Sequence, residues 1–215
     1  MRKYLTVFLA GLGLVVAAAS ASAHPHVWVA MRSQVLFAPD GSITGVRHAW
    51  TFDDMFSAFA LQGIDGAKRG VYTREELAEL AKTNVESLKE FDYFTAAKID
   101  GKPADFSDPT SDYYLEYKNE TLTLHVTIPL KAPIKVKTLD VEVYDPSYFV
   151  DFAFEKQDAA VLVGAPAACK LTVGRPEEMD ASLAAKLFQM SPDQKLDPSQ
   201  QLGVQFASRI FVRCS

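Results

Sequence analysis

The chain has 215 residues, 48% of them hydrophobic, with 22 Lys plus Arg against 27 Asp plus Glu and a formal net charge of -5. This length suits one domain, or a domain with an insertion, and is ample for a hydrophobic core. The negative balance argues against nucleic acid or an anionic membrane surface as a partner and favours cations.

In chain order, Arg2 and Lys3 make a charged start, Tyr4 to Ala19 is an apolar run interrupted by Gly11 and Gly13, and Ala21-Ser22-Ala23 has a small-x-small pattern. These are the three parts of a secretory signal. The run is shorter than the roughly 20 residues a membrane span requires, and a polar segment follows it at once. Cleavage after Ala23 is expected, leaving 24–215 as a single exported domain that begins His24-Pro25-His26. Loss of Arg2 and Lys3 takes the net charge from -5 to -7.

Trp28 to Phe37 and Ile43 to Phe52 are β-prone segments around an Asp40-Gly41 hairpin signal, and they are expected to pair antiparallel. Leu122, Leu124, Val126, Ile128 and Leu130 alternate with Thr121, Thr123, His125 and Thr127, the period-two pattern of a half-buried strand. Ile134 and Val136 fall on one phase and Leu139, Val141 and Val143 on the other, which predicts a bulge near Lys137-Thr138. Ala160 to Val163, Cys169 to Val173 and Arg209 to Cys214 are further strands. Export places Cys169 and Cys214 in an oxidising compartment, and both share an apolar strand phase, so they are expected to form a disulfide.

Helices are predicted over Asp53 to Gln62, over Thr73 to Glu90 with a Thr73/Glu76 capping box, and over Asp180 to Met190 before a polar linker, Ser191 to Gln201. Between the first two, Asp65, Gly70 and Glu76 fall at positions 1, 6 and 12 of an EF-hand-like loop. Ala67 and Arg69 occupy positions that need oxygen ligands, and Lys68 and Arg69 bring positive charge, so the loop reads as degenerate and calcium is not expected to bind. The sum is an α+β fold: an antiparallel β-sandwich-like core, a helix-loop-helix inserted at about 53–90, and a C-terminal helix plus strand.

The candidate site lies at the new terminus. The amine and imidazole of His24 can chelate one metal, and His26 adds a second imidazole. Zinc, copper, nickel and cobalt accept such nitrogen ligands, whereas calcium and magnesium prefer oxygen. Pro25 has no amide proton, which rules out a planar site built from backbone amides. A turn at Asp40-Gly41 makes paired residue numbers sum to about 81, setting Val27 and Trp28 opposite Asp54 and Asp53. Asp53 and Asp54 are therefore candidate ligands, or a helix N-cap and a first-turn acid. His48 falls near Ser33, about seven residues along at roughly 3.3 Å each, too far to share a metal with His26. Asp145, in a turn rich in acids and phenols, is a further candidate, and His125, on a polar strand face, a reserve. No nucleophile–base pair or phosphate loop is present, and no catalytic residue is assigned.

The segments His24-Pro25-His26-Val27-Trp28-Val29, Trp50-Thr51-Phe52-Asp53-Asp54-Met55-Phe56-Ser57, Val85 to Phe94 and Tyr144-Asp145-Pro146-Ser147-Tyr148-Phe149 together resemble a bacterial periplasmic family catalogued as a domain of unknown function. Its members are similar to this chain in carrying an EF-hand-like insertion, and they accompany permeases of the nickel/cobalt transporter class, one pair being associated with zinc acquisition. The resemblance implies a periplasmic accessory protein that binds zinc, nickel or cobalt and works with an inner-membrane metal permease. The alternative is a module that docks on the permease without binding metal. Because Ala67 and Arg69 depart from the family pattern, calcium-dependent regulation is not carried over.

Overall fold

The computed structural model describes residues 25–64, 70–176, 182, 185 and 202–215. The expected leader, His24, Asp65, the linker 191–201 and all but two residues of the expected helix 180–190 lie outside them.

Strand β1 (Val27–Phe37) buries alternate residues, among them Val27, Val29, Met31 and Val35, and turns through Asp40-Gly41 into β2 (Ile43–Phe52). Gly41 has φ +81°, and the Asp40 carboxylate accepts hydrogen bonds from the Ser42 amide and hydroxyl, which fixes the turn. The register is as the turn dictates: Val29 faces Phe52 and Ser33 faces His48. Helix α1 (Asp54–Ala60) follows, and α2 (Ala78–Leu88) starts five residues later than its pattern suggests. The Thr73/Glu76 box does form, but it caps a run of turns that precedes the helix proper.

After a 3-10 segment (Lys89–Phe94) come β3 (Thr95–Ile99), β4 (Lys102–Ala104), β5 (Tyr114–Lys118) and β6 (Thr121–Ile134). Then follow β7 (Thr138–Val143), β8 (Val150–Phe154), β9 (Ala160–Val163), β10 (Cys169–Gly174) and β11 (Ser208–Cys214). Two sheets face each other. One runs β5-β6-β2-β1, with β8 and β9 sharing the far edge of β1; the other runs β10-β11-β7-β3-β4. A single apolar cluster draws on both sheets and on Leu77, Ala81 and Val85 beside α2, so the fold is α+β with a sandwich core.

Two features differ from the sequence expectation. The phase change near Lys137-Thr138 is no bulge: β6 ends at Ile134, and β7 begins at Thr138 in the opposite sheet. A chain that crosses a sandwich must re-aim its inward residues, and the corner at 135–137 does so. The pairing is also not wholly antiparallel, because β8 and β9 run parallel to β1. Both reach that edge after the chain has returned from the second sheet, so they enter from the same end as β1.

Cys169 and Cys214 are direct cross-strand partners and form the expected disulfide. They lie half-buried at the rim of the sandwich rather than deep in its core. The bond suits an oxidising compartment. It closes a 45-residue separation, so reduction is expected to cost about 4 kcal/mol. Urea unfolding with and without reductant measures this; a loss below about 1 kcal/mol would show that the β10–β11 edge holds without its staple. Among the described residues, no helix is long and apolar enough to cross a membrane.

Candidate metal centre

Even-numbered residues at the start of β1 face outward, away from the core, and odd-numbered ones inward. His26 precedes Trp28 on the outward side. Its amide and that of Val27 both donate to the Phe149 carbonyl, at 2.9 and 3.2 Å, and its ring packs on the Phe149 ring with centroids 4.7 Å apart. Phe149 in turn is positioned by Asp145. This carboxylate is buried and accepts four hydrogen bonds, from the Ser147 amide (2.8 Å) and hydroxyl (2.7 Å) and from the Phe149 and Val150 amides (3.0 Å each). Four donors fill both oxygens, so Asp145 organises the loop and presents no lone pair to a metal. Its place in the site is to hold the Phe149 carbonyl under His26.

Asp53 is likewise engaged. One oxygen accepts the Phe56 amide (2.8 Å) as the N-cap of α1, and the other accepts the Trp28 amide (2.9 Å), tying the helix start to β1. Asp54 is exposed in the first turn of α1, bonded to the Met55 amide, and lines a cleft with Met55, Ala58, Tyr117 and Glu120 on the far side of β2 from β8. The hairpin register thus brings Asp53 beside Trp28, and the local capping geometry uses its oxygens.

His125 stands apart. It shares a row across the sheet with Arg32, Ala49 and Tyr114, four positions along β1 from Trp28. Its ring stacks on Tyr114 at 4.4 Å, and Nε2 lies 3.4 Å from Glu116. Arg74 covers Tyr114 at 3.4 Å. Burial holds its pKa below the ordinary histidine value, with Glu116 opposing. Gly70 has φ +75°, and Glu76 accepts the Thr73 amide as the capping box expects.

Two groups have roles that the sequence reading did not assign, although it placed His48 opposite Ser33 as found. His48 is fully buried between the sheets, with the Ser33 hydroxyl at 2.8 Å from Nδ1 and the Thr95 hydroxyl of β3 at 3.3 Å from Nε2. Thr95 gives its proton to the Tyr93 carbonyl, so Nε2–H donates and Nδ1 accepts: a neutral imidazole bridging the two sheets. Burial pushes its pKa down to about 3. The second is Asp151. It faces outward on β8, paired in register with Trp28, two residues beyond the Phe149 that carries His26. Burial alone raises its pKa, with no hydrogen bond or cation to lower it. Its alternation with the buried Phe152 and Phe154 was visible in the sequence; that β8 would lie parallel against β1 was not.

Among the described residues, no three His, Cys, Asp or Glu side chains converge as a ready-made metal cage. What they assemble at the start of β1 is a quartet on the outward face of the sheet, His26 beside Phe149 and Trp28 beside Asp151; the two rings of Trp28 and Phe149 are exposed, while the carboxylate is half-buried and the imidazole Nε2 is buried.

The chain is similar to known proteins over about half to nearly nine-tenths of its length. An uncharacterized protein of Haemophilus influenzae is 23% identical over 194 residues, covering 89% of this chain and 91% of that protein. An uncharacterized 15.5 kDa protein of Spirochaeta aurantia is 29% identical over 106 residues, covering 49% of this chain and 70% of that protein. The profile of a family described as a protein of unknown function, DUF1007, matches residues 9–214, and the chain belongs to that family.

Proposed function

We propose that this is a periplasmic accessory protein that binds a transition metal, zinc, nickel or cobalt, and works with an inner-membrane metal permease of the nickel/cobalt transporter class. The observation that carries the reading is the anchoring of His26. Two main-chain bonds and a ring contact hold an imidazole on the outward face of the sheet, at the point where the expected mature chain begins. His24 and the new amine would lie two residues away, within one chelate's reach. The chemistry is capture and transfer, with no covalent step, and the degenerate EF-hand-like loop takes no part. The likeness to a family whose members accompany such permeases supports the choice of partner.

Metal-free mature protein is expected to take up about one zinc per chain in a calorimetric titration, with affinity falling as pH drops through about 6.5, where an ordinary imidazole protonates. An extra residue ahead of His24 should weaken binding; unchanged affinity removes the terminal amine from the site. A chain that binds none of zinc, nickel or cobalt above background would sink the reading. The second reading, a docking module that binds no metal, draws on the exposed rings of Trp28 and Phe149. It predicts that His26→Ala leaves metal transport intact.

A further inference from the structure

We infer that Asp151 is the carboxylate ligand that completes the metal grip begun by His26, an assignment that rests on the proposed metal-binding function. Three observations lead to it. First, the face is shared. Phe152 and Phe154 point into the core, so Phe149 and Asp151 point out, as do His26 and Trp28 on the neighbouring strand. The contact of the His26 and Phe149 rings confirms that these side chains lie on one side. Second, the spacing is right. Trp28 and Asp151 are register partners in a parallel pair, so His26 and Asp151 are diagonal neighbours, with Cα atoms roughly 7–8 Å apart by strand geometry. An imidazole and a carboxylate at that separation can meet on one ion whose ligand bonds are about 2.0–2.2 Å. Third, the other acids near the site are spent. Asp145 accepts four hydrogen bonds and Asp53 two from backbone amides, while Asp151 has no hydrogen bond or ion pair among the described residues.

The edge position of β8 gives the arrangement a functional sense. Imidazole plus carboxylate on the outward face, half-buried beside the exposed Trp28 and Phe149, makes a grip at the sheet edge that a small turn of the His26 ring would present to a partner. It takes a borderline divalent ion by one nitrogen and one oxygen from the protein body, and leaves positions for ligands from the chain terminus or from a receiving protein.

Isosteric Asp151→Asn keeps the shape and removes the charge. It is expected to weaken zinc binding by more than about tenfold, the scale seen on losing even an outer partner of a metal site, whereas Asp54→Asn leaves the affinity unchanged. The two hypotheses separate cleanly. If the wild-type chain binds no metal, the proposed function fails. If it binds zinc, His26→Ala weakens that binding and Asp151→Asn does not, only the assignment of Asp151 is overturned. A second measurement needs no change at Asp151. Stoichiometric cobalt should quench the fluorescence of Trp28, read as the difference between wild type and Trp28→Phe, because Trp28 is the register partner of Asp151. Stoichiometric binding without that quenching places the metal elsewhere and overturns the inference.

Discussion

Acidification from pH 7 towards pH 3 is expected to remove up to about 5 kcal/mol of stability through His48 alone. Its imidazole is neutral and buried in the folded chain, with a pKa pushed down to about 3, against an ordinary value of 6.5 once unfolded. A depressed folded pKa means that the unfolded chain binds the proton first. The stabilisation is whole above about pH 6.5, declines by about 2 kcal/mol by pH 5, and is exhausted near pH 3. The cost arises because a charge between two sheets has only two hydroxyls to solvate it. His125 is shifted in the same direction and adds to the slope, so urea titrations at pH 7, 6 and 5 should be repeated on His125→Asn. An NMR titration settles the site: an imidazole of His48 that protonates near pH 6.5 in the native protein would refute the account.

Asp145→Ala is expected to cost about 4 kcal/mol, the larger part of a small domain's net stability. Hydrogen bonds to a charged acceptor contribute roughly 1.5–3 kcal/mol each, but four on one carboxylate are not additive, and the released amides lose their partner inside the fold. Gly203 shows how closely this loop is packed, since a Cβ there would overlap the Asp145 carbonyl oxygen. Ser147→Ala, which removes one donor of the four, should cost only about 1 kcal/mol. Urea unfolding measures both, and an Asp145→Ala loss below about 1 kcal/mol would show that the loop is held by other means. The same substitution should weaken zinc binding, because the Phe149 carbonyl that anchors His26 is displaced with the loop.

Local pattern made much of this fold legible. The β1–β2 hairpin and its register followed from the Asp40-Gly41 turn, and β6 from strict alternation, because both are encoded within a dozen residues. The β3–β4 hairpin carries a comparable signal, Asp100-Gly101, with φ +48° and +79°. It escaped notice because its strands are short. β5 and β8 escaped for another reason: each is only five residues long, and their patterns gain meaning only from the sheet they join.

The candidate site divides along the same line. Sequence by itself determined that His24 and His26 flank Pro25 behind a stretch with the pattern of a secretory signal, that an acid pair at the end of β2 offers either a helix cap or a ligand, and that two cysteines share a strand phase. Tertiary structure alone decided which acid stands beside His26 without a hydrogen bond from its neighbours. Asp53, Asp54, Asp145 and Asp151 look alike as letters. Backbone amides reach Asp53 and Asp145 and occupy their oxygens, α1 carries Asp54 to the other side of β2, and the parallel pairing of β8 with β1 sets Asp151 next to Trp28 with no hydrogen bond to its carboxylate among the described residues. A carboxylate's availability depends on which donors the fold brings within 3 Å of it. Those donors come from residues distant in sequence or from the exact path of a loop, neither of which local pattern encodes.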